Sequence, residues 1–339
     1  MTKEKQIELV LFLKSSKVGD NYKLIPVQSG RNSQVFRVHH SSGDWLLKEY
    51  HQHPEDKRDR LGAEFMFLQF LWEKKIRQIP EPIMCDRVHH FGLFSFLEGS
   101  HPEEVEPRHI SQAVQFILKI NQFRESAGGS TIPSASEACF SVNEHLNSVE
   151  HRLKNLTSLE GDMELVKQAQ EFVEKFLLRK WAQVKEHIKK VIQKNKFEES
   201  LSQEERILSP SDFGFHNTLE SEQGDLSFID FEYAGWDDPA KLICDFGCQP
   251  EVPVNKILWL QFLNMLSEKL EISSISQRAK VLLPVYRIKW CCIMLNEFRS
   301  VGFTRRLHAG TNGINILGLQ LKKAQNYFNQ HLQGEAWLI

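Results

Sequence analysis

An aspartate, an asparagine and a second aspartate are spaced in this chain in a way that phosphoryl transfer can use. Asp212 is followed five residues later by Asn217, and Asp230 comes thirteen residues after that. The reaction needs a carboxylate to take up a hydroxyl proton, and oxygen ligands to hold Mg²⁺ against nucleotide phosphates. The three side chains therefore predict a phosphoryl-transfer centre, provided that the fold brings them together.

The segment between Asn217 and Asp230 is predicted to form a β-hairpin that does this. Residues 218–219 lead into a polar turn that contains Gly224, and residues 226–230 return as an alternating strand. An antiparallel pair places the residue before its first strand beside the end of its second strand. We therefore expect Asn217 and Asp230 at one edge of the hairpin.

The phosphates of a nucleotide also need a cationic partner. Lys48 ends a strand-like segment, and Glu64 lies early in the helical segment that follows. A lone lysine on a strand is usually an exposed residue, but here Glu64 can pair with it and hold it toward the phosphates. The downstream Asp–Asn–Asp set makes this interpretation the favoured one.

Residues 28–34, between the first two predicted strands, are a candidate phosphate loop. They contain Ser29, Gly30 and Asn32, so they can offer backbone N–H groups to an anion. No Gly-Lys-Ser/Thr follows, which excludes a P-loop, and by itself the segment reads as a hairpin turn.

Residues 94–100 link the strand-rich half to the helical half of the chain. The backbone of Phe96, Leu97 and Glu98 can hydrogen-bond the edge of an adenine in a cleft between two lobes. A plain interdomain linker is equally compatible, because one segment can serve both purposes.

The order of elements predicts an α+β protein. Residues 20–100 read as three strands, a helix over 59–75 and two more strands, with the helix burying a face of Leu61, Phe65, Leu68 and Trp72. Beyond residue 99 the chain is mostly helical. A long apolar stripe over 162–196, which includes Phe176 and Trp181, is either broken midway or projects as a hairpin arm, and packing within the helical half is favoured over a dimer arm.

Composition excludes several classes of protein. The formal net charge of -2 gives no indication of a nucleic-acid surface, and no apolar stretch is long enough to span a bilayer. The six cysteines have no disulfide-framework spacing, and Cys244-x-x-x-Cys248 without a second pair is a weak metal signal. Buried thiols in a reducing cytoplasm are the expectation.

These residues in this order resemble the aminoglycoside phosphotransferase and choline kinase family, across roughly residues 20–305. The segments that carry the resemblance are Lys48, Glu64, Phe-Leu-Glu-Gly at 96–99, Asp212 with Asn217, Ile-Asp-Phe-Glu-Tyr-Ala-Gly at 229–235, the Asp-Asp-Pro element at 237–239 and the late helical segment 286–298.

The resemblance implies a bilobal protein-kinase-like fold. A small antiparallel-sheet N-lobe with one helix (residues 1–98) would bind the nucleotide, and a larger, mostly helical C-lobe (99–339) would hold the catalytic loop and the acceptor. It also implies ATP as co-substrate, Asp212 as catalytic base, Asn217 and Asp230 as Mg²⁺ ligands and Lys48 as the contact to the α- and β-phosphates.

One feature departs from the family. Its catalytic loop usually opens His-Gly-Asp, whereas this chain has Pro210-Ser211-Asp212. The missing histidine normally braces the loop, and the rigid Pro210 can fix the same turn by another route. His216, just before Asn217 in a stretch expected to be extended, should point toward packing or solvent.

The acceptor stays open among an aminoglycoside, an amino alcohol, a sugar and similar hydroxylated molecules. Acids of the helical half, namely Glu232, Asp237, Asp238 and Glu251, lie where they can favour a cationic acceptor. A protein kinase is disfavoured, because Asp230 and Pro239 leave no room for a long activation segment. The alternative is a nucleotide-binding pseudokinase or scaffold without turnover, and a monomer or weak homodimer is expected.

Overall fold

The computed structural model describes residues 3–16, 18–27, 33–54, 56–128, 132–159, 163–195, 200–272, 274–300, 302–304, 313–334 and 336. Its N-terminal lobe contains two helices and five strands. In chain order these are α1 (Lys3–Ser15), β1 (Lys23–Pro26), β2 (Ser33–His40), β3 (Gly43–Tyr50), α2 (Arg60–Glu73), β4 (Pro82–Asp86) and β5 (Phe91–Ser95).

The five strands form one antiparallel sheet in the order β1-β2-β3-β5-β4. Successive side chains of a strand point to opposite faces, so Leu47 packs against α1 on one face while Leu46 packs toward the main core on the other. Lys48 is two residues after Leu46 on the same strand, so its side chain lies on the same face of the sheet and points toward α2. The predicted α+β class is confirmed, with α1 as an addition to the one expected helix.

Helix α2 buries a face rotated from the predicted one. Its N-cap Asp59 accepts a hydrogen bond from the Gly62 backbone N–H, and its buried residues include Leu61, Glu64, Phe67, Leu68 and Leu71, whereas Phe65 and Trp72 are only partly buried. The sheet and the C-terminal lobe both contact this helix, so the face is set by two neighbours and not by a single apolar stripe. The rotation carries Glu64 inward.

The C-terminal lobe is mostly helical. Its helices are α3 (Pro107–Asn121), α4 (Arg124–Gly128), α5 (Val142–Thr157), α6 (Glu164–Phe172), α7 (Leu178–Asn195), α8 (Pro239–Cys248), α9 (Lys256–Lys269), α10 (Ile275–Met294) and α11 (Gly313–His331). Four short strands complete it: β6 (Ile207–Ser209), β7 (Thr218–Glu220), β8 (Leu226–Phe228) and β9 (Gly235–Asp237). They form two antiparallel pairs, β6 with β9 and β7 with β8.

The long stripe over 162–196 is neither broken nor an arm. Helix α6 continues into α7 through a π-helical turn at Val173–Leu177, and Trp181 is buried in the main core. The wider turn changes the phase of the residues in it, so that Phe176 is 50 % exposed instead of lying in the buried stripe. The segment packs within the C-terminal lobe.

Residues 96–99 follow the last strand of the sheet and precede the helical part of the chain. Ser100 and Glu220 exchange backbone hydrogen bonds of 3.1 and 2.7 Å, so the linker lies directly on strand β7. Gly99 has a φ of +141°, and a Cβ there would lie 2.7 Å from the carbonyl oxygen of Glu220, so this close approach requires glycine. In the described ranges, no helix is long and apolar enough to cross a membrane.

Candidate active site

The predicted hairpin is present. Thr218 pairs with Phe228 and Glu220 with Leu226, and the Ile229 backbone N–H donates to the Asn217 carbonyl at 3.0 Å. Asn217 and Asp230 therefore flank the open end of one antiparallel pair. Asp230 has a φ of +66°, a left-handed conformation that aspartate tolerates better than most residues and that turns its carboxylate out of the strand direction.

Lys48 and Glu64 meet as predicted, and Asp230 joins them. Lys48 Nζ lies 2.8 Å from Glu64 Oε1 and 2.9 Å from Asp230 Oδ1, although Asp230 is 182 positions away in the chain. Burial by itself would lower the pKa of Lys48, but the carboxylates of Asp230 and Glu64 outweigh it and raise the pKa above its usual value. The lysine therefore stays charged and points across the interlobe cleft.

Two further groups hold Glu64, and sequence reasoning missed both. The Tyr50 hydroxyl donates to Glu64 Oε2 at 2.5 Å, and the Phe231 backbone N–H donates to Glu64 Oε1 at 3.2 Å. A buried carboxylate needs such donors, because one left without partners costs several kcal/mol, on the order of 3. Side chains alternate along a strand, so Tyr50 lies on the same inner face of β3 as Lys48. This spacing is the sequence feature from which the Tyr50 contact could have been predicted.

Asp212 lies at the wall of the cleft with its side chain 33 % exposed. The Asn217 amide Nδ2 donates to the Asp212 backbone carbonyl at 2.9 Å, which leaves the amide oxygen of Asn217 as the atom free for a cation. The 3₁₀ turn at Phe215–Asn217 brings the chain back so that the Asn217 side chain reaches the Asp212 carbonyl. Asp212 and Asn217 are thereby fixed relative to each other.

The predicted direction of His216 is wrong. Its Nε2 lies 3.2 Å from Asp212 Oδ1, and the residue lines the cavity beside that carboxylate. The prediction assumed an extended stretch before Asn217, whereas the 3₁₀ turn brings a side chain four positions later back over Asp212.

A lysine on α8 supports the loop where the family has His-Gly. Lys241 Nζ donates to Ser211 Oγ at 2.7 Å and lies 2.6 Å from Asp237 Oδ2. Ser211 has a φ of +68°, which explains why glycine is usual at this position. Lys241 is four residues beyond Asp237, and only the tertiary structure reveals its contact with Ser211.

Three of the four acids considered for the acceptor have other roles. Asp238 caps α8 by accepting from the Ala240 N–H at 2.7 Å and lies 2.6 Å from Arg278 Nε. Asp237 is buried against Lys241, and burial raises its pKa to about 6 despite that partner. Glu232 is also buried, and burial followed by the nearby charge of Asp230 raises its pKa to about 7. Only Glu251 lines the cavity.

The proposed nucleotide contacts of the N-terminal lobe are described in part. Ser29, Gly30 and Asn32 lie outside the described residues. Phe96 and Leu97 are partly buried in the interlobe linker, and the Arg37 guanidinium lies 4.4 Å from the centre of the Phe96 ring. The Glu98 side chain is exposed and lies 3.0 Å from Arg37, so its contribution to a nucleotide would come from the backbone.

A cavity of about 720 Å³ opens beside these groups on the side of the C-terminal lobe. Asp212, Asn217 and Asp230 form one end of its wall, and residues of α5, α8, α10 and α11 form much of the rest. Its volume is typical of a site for a small organic molecule. Asp212, Asn217 and Asp230 therefore border a space large enough for a small molecule.

The architecture of the two lobes is the protein-kinase-like fold found in small-molecule phosphotransferases. The sequence model of the phosphotransferase enzyme family matches residues 23–248, well over half of the chain, and the chain belongs to that family. The comparison with curated proteins gives no significant match.

Solved structures with a similar fold have low sequence identity. A spectinomycin phosphotransferase in complex with ADP and spectinomycin is 13% identical, with a TM-score of 0.62 over 97% of this chain and 94% of that chain. The choline kinase of Streptococcus pneumoniae is 12% identical, with a TM-score of 0.61 over 97% of this chain and 100% of that chain. The ethanolamine kinase of Plasmodium vivax is 14% identical, with a TM-score of 0.60 over 95% and 87%.

Proposed function

We propose that this protein is an ATP- and Mg²⁺-dependent phosphotransferase that moves the γ-phosphate of ATP to a hydroxyl of a small molecule. The observation that carries the proposal is the convergence of Lys48, Asp230, Asn217 and Asp212 on one cleft beside a cavity. Family membership and the acceptors of similar structures, which include spectinomycin, choline and ethanolamine, support the same class of reaction.

The residues present fit a magnesium ion. Asn217 has its amide oxygen free and Asp230 offers a carboxylate, while the described residues contain no cluster of three His, Cys, Asp or Glu that could hold a metal by themselves. This suits Mg²⁺, which usually takes one or two protein oxygens and completes its shell with water and phosphate oxygens. When bound, the ion would neutralise charge on the transferring phosphates.

The roles of the side chains follow from their chemistry. Lys48, held by Glu64, would contact the α- and β-phosphates from the N-terminal lobe. Asp212 would accept the proton of the acceptor hydroxyl as the oxygen attacks phosphorus, and His216 beside it would orient that carboxylate. The backbone of residues 96–98 would receive the adenine, and the lobes would divide near residue 98.

The surroundings of the reaction are part of the proposal. All six cysteines are free thiols, five of them buried, which suits a reducing compartment such as the cytoplasm where ATP is available. The partners would be ATP and a small hydroxylated acceptor, with the protein acting as a monomer or weak homodimer.

The test is transfer of labelled γ-phosphate from Mg-ATP to hydroxylated small molecules, with Asp230→Asn as matched control. Asparagine keeps the shape and tolerates the left-handed backbone, but it removes the charge that holds the metal, so transfer should fall by at least roughly 10²-fold. A folded wild-type protein that binds Mg-ATP but transfers no phosphate to any acceptor would indicate the pseudokinase.

A further inference from the structure

We infer that the acceptor is a small hydroxylated anion, with a carboxylate or phosphate group, and not a polycation; this rests on the proposed function. The inference comes from the charges along the cavity beside Asp212. Among the described residues, the lysine and arginine side chains that line it are Arg58, Arg152, Lys241, Lys289, Arg299 and Lys323.

The carboxylates of the wall are fewer once the reaction centre is set aside. Asp212 and Asp230 serve the transfer itself. In the described part of the chain, the remaining acids along the cavity are Glu137, Asp245, Glu251 and Glu297. Lys241 is set aside in the same way, because it is bound to Ser211 and Asp237, so the rest of the described wall has five cationic and four carboxylate side chains.

Three of those four carboxylates are already paired with cations of the same wall. The pairs are Glu137 with Arg152, Asp245 with Lys289 (Oδ2–Nζ 3.0 Å) and Glu251 with Lys323 (Oε2–Nζ 2.8 Å). The fourth, Glu297, is only 3 % exposed. A polycationic acceptor would have to displace the protein's own cations from each carboxylate, and this costs more than a surface contact returns.

Arginines and carboxylates alternate around Glu137, where Arg58 also pairs with Asp56 and Arg60 lies 3.8 Å from Glu232. Arg58 NH1 lies 3.8 Å from the same carboxylate that pairs with Arg152, and Asp56, the other partner of Arg58, is shared with Arg60. Burial would raise the pKa of Glu137, but the charges of Arg152, Lys289 and Arg58 hold it below its ordinary range. Glu137 is therefore already paired with the protein's own arginines, which disfavours a cationic acceptor beside it.

Arg299 is the cation of the wall that favours an anionic acceptor. It is partly buried at the cavity wall, and within the described ranges no carboxylate lies within ion-pair distance of it. A guanidinium presents a planar fork of N–H donors that matches a carboxylate or a phosphate. An acceptor could therefore direct its anionic group toward Arg299 and its hydroxyl toward Asp212, since both residues line the cavity.

The charge class of the acceptor can be measured before its identity is known. A small-molecule extract is separated at neutral pH into fractions retained by an anion exchanger, retained by a cation exchanger, and retained by neither. Each fraction is incubated with the full-length protein and Mg-[γ-³²P]ATP. We expect labelled product from the anion fraction.

The other outcomes separate this inference from the proposed function. Labelled product from the cation or the neutral fraction alone would overturn the anionic acceptor and leave the kinase standing. No labelled product from any fraction would remove the proposed function and the acceptor class with it.

A matched pair of variants tests the cationic wall. Arg299→Gln should raise the amount of the anion fraction needed for half-maximal rate by about tenfold, because a charged hydrogen bond is lost, while half-saturating ATP stays unchanged. Lys175→Gln removes an exposed lysine on the π-helical turn that does not line this cavity and should change neither value. A folded Arg299→Gln protein with unchanged acceptor saturation would overturn the contact. Arg152→Lys keeps the positive charge but loses the planar guanidinium, and its acceptor saturation gives a second measurement.

Discussion

At the scale of single residues, the catalytic loop is held by contacts that differ from those expected. Asp212 is braced by His216 through its carboxylate and by Asn217 through its backbone carbonyl. Ser211 is braced by Lys241. These contacts position the Asp212 carboxylate. They do so without the histidine that the family usually has where this chain has Pro210.

Asp212→Ala should abolish transfer while ATP binding is kept. A positioned general base contributes about 10²–10⁴-fold to a rate, whereas Lys48, the proposed phosphate contact, is held by Glu64 and Asp230. His216→Ala removes one hydrogen bond to that carboxylate and should cost about tenfold. Single-turnover transfer and nucleotide titration measure the two effects, and an Asp212→Ala protein with more than a tenth of the wild-type rate would contradict the assignment.

Ser211→Ala and Ser211→Gly separate the brace from the backbone conformation. Both remove the hydroxyl that accepts from Lys241, so both should lower kcat to the same extent with KM for ATP unchanged. Glycine adopts the positive φ of this position without strain, so Ser211→Gly should be more stable than Ser211→Ala by about 1 kcal/mol. If glycine restored kcat, the backbone and not the Lys241 contact would be the important feature.

At the scale of elements, the C-terminal helices are tied together by buried polar and aromatic side chains. His145 on α5 contacts Tyr286 on α10 and Asp238 at the start of α8, at 2.8 and 3.0 Å. Helix α11 closes the lobe at its end, where the His331 ring lies 4.5 Å from the Tyr327 ring and the His331 carbonyl accepts from Arg287 at 3.3 Å. The lobe is thus closed by its last described helix.

The stability of the protein should fall as the pH drops from about 6.5 to about 4, in part because of His331. Burial, and then the charge of Arg287, lower the pKa of His331 from 6.5 to about 4. The folded state therefore resists a proton that the unfolded chain accepts, so this stability is present above 6.5 and is lost as the pH falls toward 4.

His331→Gln should flatten this pH dependence, measured as the urea midpoint at several values between pH 7.5 and 4.5. His151→Gln, at an exposed histidine of α5, is the matched control and should leave the wild-type profile unchanged. Identical profiles for wild type and His331→Gln would show that other groups dominate the acid loss.

At the scale of the whole molecule, the functional groups are divided between the lobes. Lys48 and Glu64 lie in the N-terminal lobe, and Asp212, Asn217 and Asp230 lie in the C-terminal lobe. The Lys48–Asp230 ion pair and the hydrogen bond from the Phe231 backbone N–H to Glu64 are described contacts between the two. A nucleotide in the cleft would therefore be held from both sides.

Mg-ATP should raise the unfolding temperature of the protein. Ligand at about 100 times its dissociation constant stabilises by about 2.7 kcal/mol, which for a chain of this size is a shift of roughly 5 °C. Lys48→Met, which removes the phosphate contact, should reduce the shift in the same thermal titration. No shift for a folded wild-type protein at millimolar Mg-ATP would count heavily against nucleotide binding.

Trp181→Glu should destabilise a monomer and not dissolve a dimer. Trp181 is 3 % exposed, and its indole N–H donates to Glu150 at 3.3 Å, so a buried charge there should cost at least about 3 kcal/mol. Sedimentation of wild type and denaturant unfolding of both proteins measure this. A tight wild-type dimer that Trp181→Glu converts into folded monomers would overturn packing within the lobe.

Local spacing was sufficient to predict the parts of the site that lie within one element or one hairpin. The two strands that flank Gly224 bring Asn217 to Asp230, and strand alternation followed by a helix brings Lys48 to Glu64. These contacts depend on periodicity and turn chemistry, which the sequence displays directly. The division into a strand-rich and a helical lobe could be predicted for the same reason.

Contacts between distant segments were decided only by tertiary packing. The sequence contains no periodicity that joins Lys48 to Asp230, Lys241 to Ser211, or Glu137 to Arg152. Tertiary neighbours also decide which side of α2 is buried and which acids are already neutralised. They decide as well where a π-helical turn changes the phase of the apolar stripe. The sequence by itself therefore determined the reacting groups, while the tertiary structure decided how they are held and what charge the cavity beside them presents, because charges pair through space and not along the chain.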